Sequence, residues 1–124
     1  MPYYGSSEQK TLKDFWDAHG VWSEATFGTT AERGPLGPLK HLAKEVQEAI
    51  EDTGDTIEMI DCLFLIFDAL RRSGLTHDEV VDLCFHKLEI NKKRKWPKTS
   101  PTEPAEHIKL ASPPQGIESD DIPF

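Results

Sequence analysis

The segment from Thr56 to Arg72 is apolar on almost every side, and this limits what the chain can fold into. A helix that is apolar all round is expected to be buried on most of its surface. The longest unbroken apolar run in the segment is Cys62–Phe67, far short of the roughly 20 residues that a bilayer span needs. The sequence therefore predicts a buried helix within a folded body and no membrane-spanning segment.

Three further helices are expected, because apolar residues recur at helical spacing between recognisable start and stop signals. Short connections favour antiparallel neighbours, so the sequence predicts an all-α bundle of four to five helices. In the fourth helix, the residues expected to point inward are Val80, Val81, Cys84, Phe85 and Leu88. The start and stop signals of the four helices are as follows in chain order. The first helix starts at Thr11 with Asp14 and stops at Gly28, and the second starts near Pro38 and stops at Gly54. The third stops at Gly74, and the fourth starts at Thr76 with Glu79 and stops at Trp96–Pro97.

The composition changes near Pro97. Six of the nine prolines occur from this residue onward, and residues 98–124 carry five acidic and two basic side chains. Such a segment buries too little apolar surface to offset its ordering entropy. We expect a folded body over residues 8–97 and an extended, disordered tail over 98–124. A body this small often gains stability by forming oligomers.

The charge and the cysteines indicate where the protein works. The net charge is −8, which argues against direct binding of nucleic acid, because that binding is driven by Lys and Arg neutralising phosphates. The opening residues show no secretory signal. Cys62 and Cys84 lie in apolar stretches, as buried free thiols do in a reducing compartment. The cytoplasm is the expected location.

Acidic side chains on the second and third helices suggest a metal site. Glu45 and Glu48 are three residues apart, as are Glu58 and Asp61, so each pair shares a helix face. The first pair alone would fit an ordinary solvated face, but Glu58 and Asp61 interrupt the most apolar segment of the chain, where unpaired carboxylates are costly. Carboxylates without matching His or Cys favour Mg²⁺ or Mn²⁺ over Zn²⁺. Such a site commonly serves a phosphate-bearing substrate.

The fourth helix carries complementary charge. Lys87, Asn91 and Arg94 lie at i, i+4 and i+7 and therefore share one face. Beside a metal site these residues would form a polyphosphate clamp. The alternative is a solvated basic end of a helix, which accounts well for Lys92 and Lys93.

These residues resemble a known signature. Glu45-x-x-Glu48 with Glu58-x-x-Asp61, followed by the last-helix set from Lys87 to Arg94, resembles the MazG-like all-α nucleoside triphosphate pyrophosphohydrolases. A narrower resemblance, to the dATP/dGTP diphosphohydrolase group of phages and bacteria, covers most of the body. Many relatives have a doubled Glu where this chain has Lys44-Glu45. The narrower resemblance is carried by Trp22, Thr26-Phe27-Gly28, Arg33-Gly34-Pro35, Leu39-Lys40-His41-Leu42, Lys44-Glu45, Asp68, Asn91-x-x-Arg94-x-Trp96-Pro97 and Glu106-His107.

The resemblance implies hydrolysis of a nucleoside triphosphate to its monophosphate and pyrophosphate. It implies two or three Mg²⁺ ions per site, with Mn²⁺ as a substitute, held by the metal ligands Glu45, Glu48, Glu58 and Asp61. Glu48 would be the general base. Lys87 and Arg94 would stabilise the departing pyrophosphate. Asn91, Trp22, Phe27, Arg33 and His41 complete the expected substrate contacts.

The narrower resemblance further implies a preference for dGTP or GTP, with dATP as a further substrate. It also implies a role in phage or bacterial nucleotide-pool control, such as dGMP supply for 2-aminoadenine DNA. A homodimer or homotetramer that buries parts of helices two and three is expected.

Three other interpretations remain open at this level. A MazG-like enzyme could act on pyrimidine triphosphates. A non-catalytic helical adaptor could work through its tail. The pair His77-Asp78 suggests an HD-type phosphohydrolase, although the sequence offers no convincing set of partner histidines and acidic residues are expected in a first helical turn.

The last residues of the chain, Asp120-Asp121-Ile122-Pro123-Phe124, resemble the acidic tip of bacterial single-stranded-DNA-binding proteins. An aromatic ring after an acidic stretch suits docking into an apolar pocket with a basic rim. The alternative is a solubilising acidic tail. We expect residues 115–124 to bind a replication or repair protein.

Overall fold

The computed structural model describes residues 10–108, which contain four helices and no strand. The helices are α1 (Leu12–Phe27), α2 (Leu36–Glu51), α3 (Thr56–Arg72) and α4 (His77–Lys93). The predicted all-α class is confirmed. None of these helices has the length and apolar content needed to cross a bilayer. The chain divides into two compact units, one ending at Val81 and the other beginning at Asp82, within α4.

Three of the four helices begin where the sequence predicts. Thr11 Oγ1 accepts a hydrogen bond from the Asp14 N–H at 3.2 Å, and the Asp14 carboxylate accepts one from the Thr11 N–H at 3.0 Å. Thr76 and Glu79 form the same reciprocal cap, at 3.2 and 3.0 Å. α2 begins at Leu36, two residues before the predicted start near Pro38. A proline in the first turn is tolerated there, because its missing N–H would have no helical partner.

α1 continues through Gly20, and the Arg71 side chain of α3 lies close to its backbone at that point. A Cβ added at Gly20 would lie 2.7 Å from Arg71 Nε. The absence of a side chain lets Arg71 lie along α1 and place its guanidinium 4.6 Å from the centre of the Trp16 ring. Gly20 thus serves packing between α1 and α3, although glycine lowers helix propensity.

The core of the first unit lies where α1 and α2 cover α3. Trp16 and Ala69 are buried there, and the Trp16 and Phe67 rings pack with their centroids 5.3 Å apart. α3 is less buried than predicted, because α1 and α2 cover only part of its circumference in a single chain. The apolar side chains of α3 that stay exposed are Ile57, Met59, Ile60 and Ile66.

The second unit contains most of α4 and the residues that follow it. The prediction that the apolar residues of α4 point inward is wrong for Cys84, Phe85 and Leu88, which are exposed; Cys62, in α3, is half-buried. Neither cysteine is the fully buried thiol that the sequence suggested. The start of the predicted tail is ordered by the Ile108 N–H, which donates to the Lys95 carbonyl at 2.7 Å.

Several sequence predictions lie outside the described residues. They concern the start of the body at residue 8, the tail from 109 onward and the docking tip at 115–124.

Candidate active site

Three carboxylates from α2 and α3 meet in the first unit. Glu45 and Glu48 lie one turn apart on α2, and Glu58 lies in the first turn of α3. One oxygen of each lies within 4.8 Å of the other two, and all three residues are half-buried. Within residues 10–108, this is the one group of acidic, His or Cys side chains close enough together to share a metal ion. We call it the carboxylate triplet.

The triplet is electrostatically crowded. A side-chain hydrogen bond joins Glu45 and Glu48. It lowers the pKa of Glu45 and raises the pKa of Glu48, and the negative charge of Glu45 raises the pKa of Glu48 further. Desolvation raises the pKa of Glu58, and the charges of Glu48 and Glu45 raise it further. Neighbouring carboxylates have raised pKa values when their mutual repulsion is not fully compensated. The triplet therefore favours the arrival of a proton or a cation.

The donor set of the triplet fits a hard divalent cation. It offers only carboxylate oxygens, which Mg²⁺ and Mn²⁺ prefer. Within residues 10–81, its basic contact is His41, whose Nε2 lies 3.0 Å from Glu45 Oε1. The fourth predicted ligand, Asp61, lies one turn after Glu58 and outside the triplet, and it is exposed.

A cavity of about 700 Å³ adjoins the triplet within the first unit. Glu45 and Asp61 belong to its wall, which connects the cavity to the acidic site. The wall also contains all four residues that the sequence assigned to nucleotide contacts outside α4: Trp22, Phe27, Arg33 and His41. The volume is in the range of pockets that hold small-molecule ligands.

Two aromatic rings form one side of this cavity. The Trp22 and Phe27 rings meet edge to face, with centroids 5.4 Å apart. About half of each residue is exposed, 52% for Trp22 and 49% for Phe27. Exposed aromatic faces beside a cavity can stack on a nucleobase. Arg33 is exposed on the loop before α2, because that loop runs over the surface.

Ser23, Asp68 and Arg72 line the buried side of the cavity and bind one another. Asp68 accepts hydrogen bonds from Ser23 Oγ at 2.7 Å and from Arg72 Nε at 2.9 Å, and Arg71 Nη1 also donates to it at 3.2 Å. Arg72 donates in addition to the Gly28 carbonyl at 2.9 Å. We call Ser23, Asp68, Arg71 and Arg72 the buried polar cluster. It joins the end of α1 to α3 and so positions Trp22 and Phe27.

The remaining predicted substrate contacts belong to the second unit. Lys87 and Asn91 are half-buried on α4, and Arg94, also half-buried, directly follows the last residue of that helix. α4 thus ends before the predicted stop at Trp96–Pro97. Arg94 Nη1 donates a hydrogen bond to Asn91 Oδ1 at 3.2 Å. The Trp96 indole N–H donates to the Asn91 carbonyl at 2.8 Å and thus fixes the end of the helix.

The pair His77-Asp78 does not form a metal cluster with other described residues. His77 Nδ1 lies 3.1 Å from Asp78 Oδ1, and the His77 ring packs edge-on against Trp16. Its surroundings are those of a helix start, and they do not favour the HD-type interpretation.

Sequence reasoning missed three residues of the cavity wall: His19, Ser23 and Arg72. His19 and Ser23 follow Phe15 and Trp16 at helical spacing and lie on the buried face of α1, so no spacing signal separates them from core positions. Arg72 joins the wall through its contact with Asp68, which depends on the fold.

Comparison with known proteins decides the family. The profile of the dATP/dGTP pyrophosphohydrolase family matches residues 15–114. The chain belongs to this family. The resemblance to this family that the sequence suggested is thus confirmed. The matched range contains the carboxylate triplet, the cavity wall and the last-helix residues.

A curated phage protein is similar to this chain over nearly the whole of this chain's length. The chain is 43% identical over 123 residues to the Eaa protein of Salmonella phage P22; the match covers 99% of this chain and 37% of that protein. The chain thus spans little more than a third of the curated relative that it matches.

A solved structure has a similar fold. It is the cyanophage S-2L MazG-like pyrophosphohydrolase bound to dGDP and three catalytic Mn²⁺ ions per active site. The TM-score is 0.65 at 25% sequence identity, over 82% of this chain and 100% of that one. The family match and this neighbour agree on the enzyme class predicted from the sequence, a nucleoside triphosphate pyrophosphohydrolase.

Proposed function

We propose that the chain hydrolyses purine deoxynucleoside triphosphates to the monophosphate and pyrophosphate, with divalent cations held by the carboxylate triplet. The observation that carries this proposal is the junction of two features: three crowded carboxylates, and a cavity with aromatic walls that begins beside them. A nucleotide fits both features, since its phosphates bind metal ions and its base stacks on flat aromatic surfaces. Family membership supports the same reaction.

The reaction needs a nucleophile, a base and stabilisation of the leaving group. Bound Mg²⁺ or Mn²⁺ would neutralise the triplet and polarise the phosphoryl oxygens. Water attacks the α-phosphorus, the bond from that phosphorus to the bridging oxygen breaks, and pyrophosphate leaves. Glu48 takes the proton of the attacking water as general base. Glu45, Glu58 and Asp61 complete the acidic ligand set.

The last-helix residues suit the leaving group by their chemistry. Lys87 supplies a point charge and Arg94 a planar guanidinium, which together can stabilise the charge that develops on pyrophosphate. Asn91 holds Arg94 through its side-chain oxygen and thereby limits the orientations that the guanidinium can adopt.

The cavity favours a large flat base. Trp22 and Phe27 offer stacking surfaces, and Arg33 and His41 offer polar groups for the sugar or the phosphates. We infer that dGTP and GTP are preferred and that dATP is also hydrolysed, as the narrower resemblance implies. The products would enter nucleotide-pool control, including dGMP supply for 2-aminoadenine DNA.

We also infer that the protein is a homodimer or homotetramer. Large apolar side chains remain exposed on both α2 and α3, including Val46 and Ile50 on one helix and Ile57 and Ile60 on the other. Apolar surface of this extent on a small body favours association. Light scattering at micromolar concentration tests this inference, and a monomer would contradict it.

A separate proposal concerns the sequence of residues 115–124. Its Asp-Asp-Ile-Pro-Phe ending suits docking to a basic, apolar-centred pocket on a replication or repair protein. A labelled 115–124 peptide should bind a protein that recognises single-stranded-DNA-binding-protein tips, and deletion of Phe124 should remove the binding. Equal binding without Phe124 would contradict the proposal and favour a solubilising role.

The enzymatic proposal is tested by incubating the protein with each dNTP and NTP and Mg²⁺ or Mn²⁺, and by identifying both products. The expected products are monophosphate and pyrophosphate, formed fastest from dGTP or GTP. Equal turnover of dCTP or dUTP would favour a pyrimidine enzyme. An absence of turnover with every substrate would favour the adaptor interpretation.

A further inference from the structure

One buried side chain of the cavity wall keeps a hydrogen-bonding group unused. His19 is only 6% exposed and lines the cavity. Its Nε2 forms no hydrogen bond within residues 10–108, whereas Ser23 donates to Asp68, and Arg72 donates to both Asp68 and Ser23. Nε2 is not one of the fully buried unpaired atoms in the part of the chain that the structure describes, so it keeps accessible surface and can donate to a molecule bound in the cavity.

The tautomer of His19 follows from its neighbour. Arg71 Nη2 lies 3.3 Å from His19 Nδ1, and an arginine nitrogen can only donate. Nδ1 must therefore accept, so the proton of the neutral ring resides on Nε2. Desolvation, followed by the charge of Arg71, lowers the pKa of His19, which agrees with a neutral ring. His19 is thus a donor at Nε2, on the opposite side of the ring from Arg71.

The ring is also held in place. It stacks on Phe15 with centroids 5.3 Å apart and an interplanar angle of 3°, and its edge meets Phe64 at 4.8 Å. On the other side it lies 6.1 Å from Trp22, at an angle of 26°. Packing on three sides fixes the direction of the N–H. His19 is thus a direct neighbour of Trp22, the proposed stacking surface for the base.

We propose that His19 is a specificity-determining residue that donates a hydrogen bond from Nε2 to the 6-oxo group of a purine, and so selects 6-oxopurines over 6-aminopurines. The inference rests on the proposed function, because it places a nucleotide base in the cavity. A 6-oxo group accepts a hydrogen bond. A 6-amino group is a donor and would leave both itself and the His19 N–H unpaired, which disfavours binding.

Binding tests the proposal independently of turnover. Affinities are measured by calorimetry with Mn²⁺ for the deoxynucleoside diphosphates of guanine, hypoxanthine, adenine and 2,6-diaminopurine. With the unmodified protein, we expect guanine and hypoxanthine to bind about 10-fold more tightly than the two 6-amino bases. Hypoxanthine lacks the 2-amino group, so its grouping with guanine excludes the 2-position and assigns the effect to the edge formed by N1 and the 6-substituent. Equal affinities for 2,6-diaminopurine and guanine would overturn the proposal.

Two variants separate recognition from packing. His19→Phe keeps a stacked ring and removes the donor, and it should lower the affinity for the 6-oxo bases by about 10-fold and change that for the 6-amino bases little. His19→Gln retains an N–H donor and should restore part of the preference. An equal loss for all four bases would show a structural role and overturn the proposal. If the binding preference is present but no nucleoside triphosphate is hydrolysed, the proposed function fails and the assignment of His19 stands.

Discussion

Asp68 and Glu58 belong to the same helix, α3, and have opposite surroundings. Asp68 is buried and accepts hydrogen bonds from Ser23 and from two arginines. Glu58 is half-buried and lies within 4.8 Å of two other carboxylates. In the first unit, Asp68 is thus neutralised by its own chain, whereas Glu58 is surrounded by charges of its own sign.

The difference separates a structural carboxylate from a functional one. A buried charge with complete partners stabilises the arrangement around it, and removal of one partner is costly. A group of like charges destabilises the folded chain unless something from outside binds to it. Neutralising substitutions should therefore have opposite effects on stability at the two places.

The largest effect is expected at the buried polar cluster. Asp68→Asn keeps the side-chain size but removes the charge that pairs with two buried arginines. The free energy of unfolding should fall by about 3–5 kcal/mol, measured by urea denaturation with an unchanged m-value. Asp78→Asn, on an exposed aspartate, is the matched control and should change stability little. A loss no larger than that of the control would mean that the cluster is not a structural ion-pair network.

The next effect concerns turnover. Glu48→Gln removes the proposed general base and one metal ligand, so kcat for dGTP should fall by more than about 100-fold. This is more than the loss of activity expected when a residue that only hydrogen-bonds to a metal ligand is replaced. Glu89→Gln, on the exposed part of α4, serves as control and should retain full activity. Activity of Glu48→Gln within about threefold of the unmodified protein would contradict the assignment of Glu48.

A smaller effect tests the contact between α1 and α3. Gly20→Ala places a Cβ against Arg71, which is held by Asp68, Trp16 and His19. Despite the higher helix propensity of alanine, the protein should lose about 1–2 kcal/mol of stability. Gly37→Ala, where the added Cβ meets nothing within 4 Å, should not be destabilising. If both variants behave alike in thermal unfolding, Arg71 is free to move and the cluster is less rigid than described.

The smallest effect is a gain in stability at the triplet. In metal-free buffer, Glu48→Gln should raise the melting temperature by less than about 4 °C, because it relieves repulsion. The pKa values of Glu48 and Glu58 are raised, so the folded state binds more protons than the unfolded state above their ordinary pKa. Their contribution to stability therefore declines as the pH rises through the raised pKa values. Thermal melts between pH 4.5 and 8 in the presence of a chelator should show a smaller decline of the melting temperature with rising pH for Glu48→Gln than for the unmodified protein. The same decline in both proteins would contradict the assignment of a raised pKa to Glu48.

The sequence predicted the local helical structure well, and the structure brings three of the four predicted metal ligands together. Caps such as Thr11 with Asp14 act over three residues, and the i, i+3 spacing of Glu45 and Glu48 fixes their common face whatever the rest of the fold. The predicted burial of α3 failed for Ile57 and Ile60, since a helix pattern shows that a face is apolar and not whether the same chain covers it.

The buried polar cluster could not be predicted in the same way. Ser23 and Arg72 are far apart in the sequence, and their contact depends on how α1 lies against α3. The role of His19 depends on the nitrogen to which Arg71 donates, which no spacing rule contains. Tertiary contacts decide these assignments, whereas the family resemblance supplied the predictions for Trp22, Phe27, Arg33 and His41.

Direct measurement of Mn²⁺ binding tests the contrast between the two carboxylate environments. Mn²⁺ is titrated into the unmodified protein, Glu58→Gln and Asp68→Asn, and the free ion is followed by electron paramagnetic resonance at a temperature where circular dichroism shows all three to be folded. We predict that Glu58→Gln weakens binding by at least about 10-fold, whereas Asp68→Asn binds Mn²⁺ as the unmodified protein does. Unchanged binding by Glu58→Gln, or its loss in folded Asp68→Asn, would contradict the assignment of the metal site to the carboxylate triplet.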